Sequence, residues 1–107
     1  MTLNEYQNFQ KGVAIYPKQN LPIYPALKLC GEAGEVSEKI GKALRDGVVE
    51  PDIWKKELAK ELGDVLWYIS AIADDLGFTL QEVAELNRIK LISRKERGVL
   101  GGSGDNR

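Results

Sequence analysis

The stretch GEAGEVSEKIGKALRDGVVEPDIWKKELAKELGDVLWYI (Gly31–Ile69) decides the fold. Leu29, Cys30, Ala33, Val36, Ile40 and Leu44 recur at helical spacing and predict an amphipathic helix over Ala26–Arg45. Asp46-Gly47 ends it, and Pro51 fits the first turn of a further helix running to Leu76. That helix carries Ile53, Leu58, Leu62, Val65, Ile69, Ile72 and Leu76 as a long face expected to be buried. A short turn between two such helices predicts an antiparallel hairpin. Glu32 and Glu35 are three residues apart on the first helix, and Glu61 and Asp64 on the second, so each pair shares a helical face. Glu35 precedes the turn by about ten residues and Glu61 follows it by about ten, so at a rise of about 1.5 Å per residue the pairs stand at similar heights. Facing one another, the carboxylates repel, and a divalent cation is the simplest remedy. Oxygen donors without His or Cys suit Mg²⁺, with Mn²⁺ as an alternative.

Outside the hairpin, Thr2 is placed to cap a helix to Val13 with Leu3, Tyr6 and Phe9 on one face. Pro17, Pro22 and Pro25 predict a loop over Tyr16–Pro25. Thr79, with Glu82 three residues on, is a capping-box pattern opening a last helix to about Arg97. Gly98–Arg107 is glycine-rich and expected to be mobile without a ligand. The expectation is all-α: a four-helix bundle over residues 1–97 and a tail over 98–107.

Composition narrows the function. Lys and Arg total 15 against 16 Asp and Glu, so no overall basic field invites nucleic acid. The longest apolar stretch, Val65–Ala73, is too short to span a bilayer. MTLNEYQNF has no secretory pattern, and the single Cys30 excludes an internal disulfide, so a cytoplasmic location is expected. With no histidine at all, Ser-His-Asp and Cys-His nucleophilic sites and His-ligated zinc are excluded.

The acidic pairs also have an ordinary reading, because Glu35 with Lys39 and Glu38 with Lys42 are favourable i, i+4 ion pairs on a solvated face. Spacing alone leaves both readings open. Three observations favour a site. Glu57, Glu61, Asp64, Tyr68 and Asp75 form a polar stripe beside the apolar one, and acids buried there need partners or a metal. Gly31, Gly34, Gly41 and Gly63 each cost about 1 kcal/mol against alanine inside a helix, which points to close approach by a ligand or to tight helix packing. Lys28, Lys39 and Lys42 share the face of Glu32 and Glu35, and metal-holding acids beside phosphate-holding lysines describe a polyphosphate site. Asn87, Lys90 and Arg94 make one polar, basic face on the last helix, which is equally compatible with plain solvent exposure. The tail could wrap a phosphate with backbone N–H groups and Arg107, or simply be a loose end. Tyr16 and Tyr24, in the proline-rich loop, are candidates to touch a base. Trp54 and Trp67 read as core, and Cys30 reads as an inert member of the apolar stripe.

LKLCGEAGEVSEKI (Leu27–Ile40) followed by ELGDVLWYISA (Glu61–Ala71) resembles the MazG-like all-α nucleoside triphosphate pyrophosphohydrolases. The resemblance extends from about Tyr6 to the end of the chain. It implies a four-helix fold assembled as a homodimer or homotetramer, and Mg²⁺ held by Glu32, Glu35, Glu61 and Asp64. It implies hydrolysis of a nucleoside triphosphate to monophosphate and pyrophosphate by water attack at the α-phosphorus. It matches Asn87 and Lys90 to a later Asn and Lys of the family pattern, Tyr68 to a position near sugar or base, and Lys42 to one near the phosphates. Arg94 joins them as a phosphate donor. Many relatives have two adjacent glutamates where this chain has Gly31-Glu32, which leaves one fewer candidate base. Glu35 or Glu38 would then take the proton. The alternatives are a phosphoribosyl-nucleotide pyrophosphohydrolase and a non-catalytic helical module that binds a nucleotide or a partner.

Overall fold

The computed structural model describes residues 1–18 and 21–107. It has four helices: α1 (Leu3–Val13), α2 (Ile23–Asp46), α3 (Pro51–Asp75) and α4 (Leu80–Glu96), with no strand among the described residues. Local chemistry sets most of the ends. At α1 the Thr2 hydroxyl accepts from the Glu5 N–H at 3.1 Å while the Glu5 carboxylate accepts from the Thr2 N–H at 2.7 Å. Thr79 and Glu82 repeat this reciprocal cap at α4, both bonds at 3.0 Å. Gly47 leaves α2 with φ +78°, a backbone that only glycine adopts cheaply, and its N–H donates to the Ala43 carbonyl.

Helix α2 starts earlier than the prolines predict, at Ile23. The N–H groups of a first turn have no intrahelical acceptor, so Pro25 forfeits nothing there, and the ladder begins with Ala26 N–H to the Pro22 carbonyl at 3.1 Å. Pro25 is buried, which fixes where the helix enters.

Helix α3 is the spine. It packs against α1, α2 and α4, whereas α2 packs on α3 alone among the described helices. The interior between α1, α3 and α4 is small and partly polar. Ala71, Ala73 and Leu80 are its buried apolar residues, beside Gln7, Gln10 and Ser70. Gln7 clasps the α3–α4 turn: its Nε2 donates to the Phe78 carbonyl and its Oε1 accepts from the Leu80 N–H, both at 3.0 Å. Gln10 Oε1 accepts from the Ser70 hydroxyl at 3.0 Å.

Three expectations are corrected. The apolar faces are not buried within one chain, since Leu44 is 84% and Leu62 53% exposed. Cys30 is exposed rather than part of a packed stripe. Beyond its own helical turn, no atom of the described residues stands within 4 Å of where a Cβ would lie on Gly31, Gly34, Gly41 or Gly63, so no described neighbour in the chain gives these glycines the close packing they suggest. The tail differs as well, because it is tied down. Arg107 curls back and donates to the carbonyls of Gly101 at 2.9 Å, Leu100 at 3.0 Å and Gly104 at 2.6 Å. Arg94, buried on α4, donates to the Asp105 carbonyl and carboxylate.

Candidate metal and nucleotide site

The hairpin brings Glu32 of α2 to Glu61 and Asp64 of α3, with one carboxylate oxygen from each within 4.8 Å of the others. The i, i+3 spacing aims Glu61 and Asp64 the same way, and the antiparallel turn sets Glu32 opposite them. Lys39 crosses from α2 to Glu61 at 3.6 Å and offsets one of the three negative charges. The remaining charge and the all-oxygen donor set fit a hard divalent cation. Glu35 is exposed and lies outside this trio, so three of the four predicted ligands are brought together. Glu38 and Lys42 pair with each other at 3.2 Å, both exposed.

The trio opens onto a cavity of about 590 Å³ to which Glu32 and Asp64 contribute. Its other walls are apolar and aromatic: Val13 at the end of α1, Ile15, Tyr16 and Pro17 in the following segment, Tyr24 on α2, and Trp67 with Tyr68 on α3. Tyr16 and Tyr24 are stacked, with ring centroids 5.2 Å apart and planes 15° from parallel. Trp67 presents an edge to Tyr16 at 6.3 Å and packs edgewise on Tyr68 at 4.9 Å. Burial raises the Tyr68 phenol, and the neighbouring Tyr24, Glu32 and Asp64 raise it further. Burial likewise raises Tyr6, with Asp64 adding to it. Both hydroxyls therefore stay protonated beside the acids and available as donors.

On α4, Lys90 and Arg94 already hold an anion: Lys90 Nζ is 2.9 Å and Arg94 Nη2 3.4 Å from the Asp105 carboxylate. Asn87 is exposed on the same helix. Of the residues brought together in the cluster and the cavity wall, sequence reasoning had named Glu32, Glu61, Asp64, Tyr16, Tyr24 and Tyr68. It did not single out Val13, Ile15 or Pro17 as lining a cavity, and it assigned Trp67 to the core.

Residues 25–99 match the family model of the MazG nucleotide pyrophosphohydrolase domain. The chain belongs to that family, and its all-α fold agrees with it. It is similar to the Gene 37 protein of Mycobacterium phage L5, with 42% identity over 116 aligned positions covering 100% of both chains. No solved structure matches the chain. The matched segment contains all three clustered acids but not Val13, Ile15, Tyr16, Pro17 or Tyr24, so more than half of the cavity wall lies outside it. Among the described residues no helix is long and apolar enough to cross a membrane.

Proposed function

We propose that the chain hydrolyses nucleoside or deoxynucleoside triphosphates to monophosphate and pyrophosphate. The observation that carries this reading is the convergence of Glu32, Glu61 and Asp64 at the mouth of an aromatic-walled cavity. Flat rings suit a nucleobase, and the acid trio suits the cation that accompanies a triphosphate. Glu32, Glu61 and Asp64, with Glu35 one turn along, would hold Mg²⁺ or Mn²⁺. A bound ion of this kind neutralises the triphosphate, lowers the pKa of a coordinated water and stabilises departing pyrophosphate.

The chain's own groups do the rest. Water attacks the α-phosphorus, the bond to the bridging oxygen of the pyrophosphate breaks, and the water's proton passes to a carboxylate. Glu35 is the better acceptor for it, because Glu38 is already engaged by Lys42. Tyr68 donates towards the sugar. Lys42, Asn87, Lys90 and Arg94 serve the phosphate oxygens as charge-assisted or neutral donors. Lys90 and Arg94 reach substrate only by releasing Asp105, whose carboxylate they now hold.

The working form is a homodimer or homotetramer, which the exposed apolar faces of α2 and α3 support. The deciding experiment is a pyrophosphate-release screen with canonical, modified and phosphoribosyl nucleotides, with and without Mg²⁺ or Mn²⁺. Metal-dependent release from at least one nucleoside triphosphate is expected. Nucleotide binding without release from any of them would leave a binding module instead.

A further inference from the structure

Helix α3 ends on two acids, Asp74 and Asp75, with no basic residue in its last turn. Carboxylates at a helix C-terminus oppose the helix dipole, so local stability does not account for them. The Asp75 side chain is only 4% exposed, and a buried carboxylate needs partners. Both of its partners come from the loop after α1. Lys18 Nζ lies 2.7 Å from Asp75 Oδ1 and 3.1 Å from Asp74 Oδ2. The Tyr16 hydroxyl donates to Asp75 Oδ2 at 3.2 Å. Lys18 also sits over the Tyr16 ring, 5.2 Å from its centroid. Tyr16 is thus held from three directions: by its hydroxyl on Asp75, by Lys18 above the ring, and by Tyr24 stacked against it.

We infer that Asp75 is a positioning residue for nucleotide recognition: with Lys18 it ties residues 16–18 onto α3 and sets Tyr16 as a wall of the base cavity. This rests on the proposed nucleotide site. Asp75 touches no phosphate in this scheme, so the clasp governs recognition of the base and leaves the triphosphate end unaffected. An ordinary stabilising ion pair would make no such distinction.

The test uses the full chain in a Trp54→Phe background, with Trp67 emission reporting binding. Two probes are titrated in Mg²⁺: a non-hydrolysable α,β-methylene nucleoside triphosphate of the base preferred in the release screen, or of each canonical base if none is released, and inorganic tripolyphosphate, which has no base. Asp75→Asn and Tyr16→Phe are expected to weaken the nucleotide roughly tenfold. Both should leave tripolyphosphate affinity within twofold. Tyr16→Phe removes one oxygen and keeps the ring, so it reports the clasp even if Asp75→Asn folds poorly. In turnover assays the same variants should raise KM and spare kcat. Unchanged nucleotide affinity in both variants, or equal losses for the two probes, overturns the inference. A chain that binds the nucleotide but releases no pyrophosphate sinks the proposed hydrolysis and leaves the clasp standing or falling on these titrations. A chain that binds neither probe overturns both.

Discussion

The most consequential residues are three acids that make little sense as surface decoration. Glu32 and Glu61 are half-buried, and among the described residues only Lys39 forms an ion pair with the trio. Asp64→Asn keeps the shape of the side chain and removes the charge. It is expected to lower pyrophosphate release by at least about a hundredfold while the helical far-UV spectrum is unchanged. Retention of full activity in that variant would end the metal assignment. Asp64 was legible because helical periodicity alone places it beside Glu61. The ring contacts of Tyr16 were not, because they depend on where a loop is pinned by Asp75, 59 positions away along the chain. A second residue-scale expectation concerns stability. Ser70 and Gln10 are both buried and bond to each other, while Gln10 Nε2 has no partner among the described residues. Ser70→Ala orphans the remaining polar end of Gln10 and should cost about 1–3 kcal/mol in urea unfolding. Adding Gln10→Met should restore most of that loss, since an apolar pair leaves nothing unsatisfied. An additive pair of losses would mean that the bond contributes nothing.

Among the elements, ends were more legible than faces. Capping boxes are local chemistry, so Thr2 and Thr79 mark α1 and α4 correctly from sequence. The start of α2 was misread because Pro25 suggested a break, whereas a first turn has no hydrogen bond for proline to remove. Thr79→Ala should lower stability by about 1 kcal/mol, read as a reduced urea midpoint with an unchanged slope. The tail was expected to be loose because it is glycine-rich. Its glycines instead allow the tight path by which Arg107 collects carbonyls, with Gly102 at φ +90° and Gly104 at φ +89°. Lys90 first, and then Arg94, hold the Asp105 carboxyl below its ordinary range. A carboxylate lowered by folding contributes stability above the unfolded pKa of 3.8 and loses it as pH falls through the folded value. Tail attachment should therefore persist at neutral pH and weaken below about pH 4, read as greater sensitivity of the residue 98–107 amides to hydrogen exchange, compared as protection factors at the two pH values. Asp105→Asn should show that sensitivity at neutral pH.

For the whole molecule, the decisive fact is that one chain does not close on itself. Its radius of gyration is 16.7 Å, against about 13 Å for a compact domain near this length. Helix α2 leans on α3 alone and shows its other face to solvent. Along that face Leu27, Gly34 and Gly41 follow at intervals of seven, with Cys30, Ser37 and Leu44 three residues after each, and all six are exposed. Heptad spacing of small and apolar residues is what a closely packed neighbouring helix requires. In the proposed homo-oligomer, α2 of a second copy would fill the open space beside Gly34 and Gly41. The sequence showed glycines that cost stability, but whether a neighbour came from the same chain depended on packing that no local pattern encodes. Gly34→Leu separates the possibilities. Replacing glycine raises helix propensity by about 0.8–1 kcal/mol, so the isolated helix gains. The leucine side chain would meet the partner's backbone, so assembly should weaken by at least about tenfold, as overpacking at a close contact does. Sedimentation velocity at micromolar concentration should show wild-type protein assembled and Gly34→Leu shifted towards the single chain, with its helical signal retained. Identical sedimentation of the two proteins would place the interface elsewhere, and a wild-type protein that sediments as one chain would remove the assembly altogether.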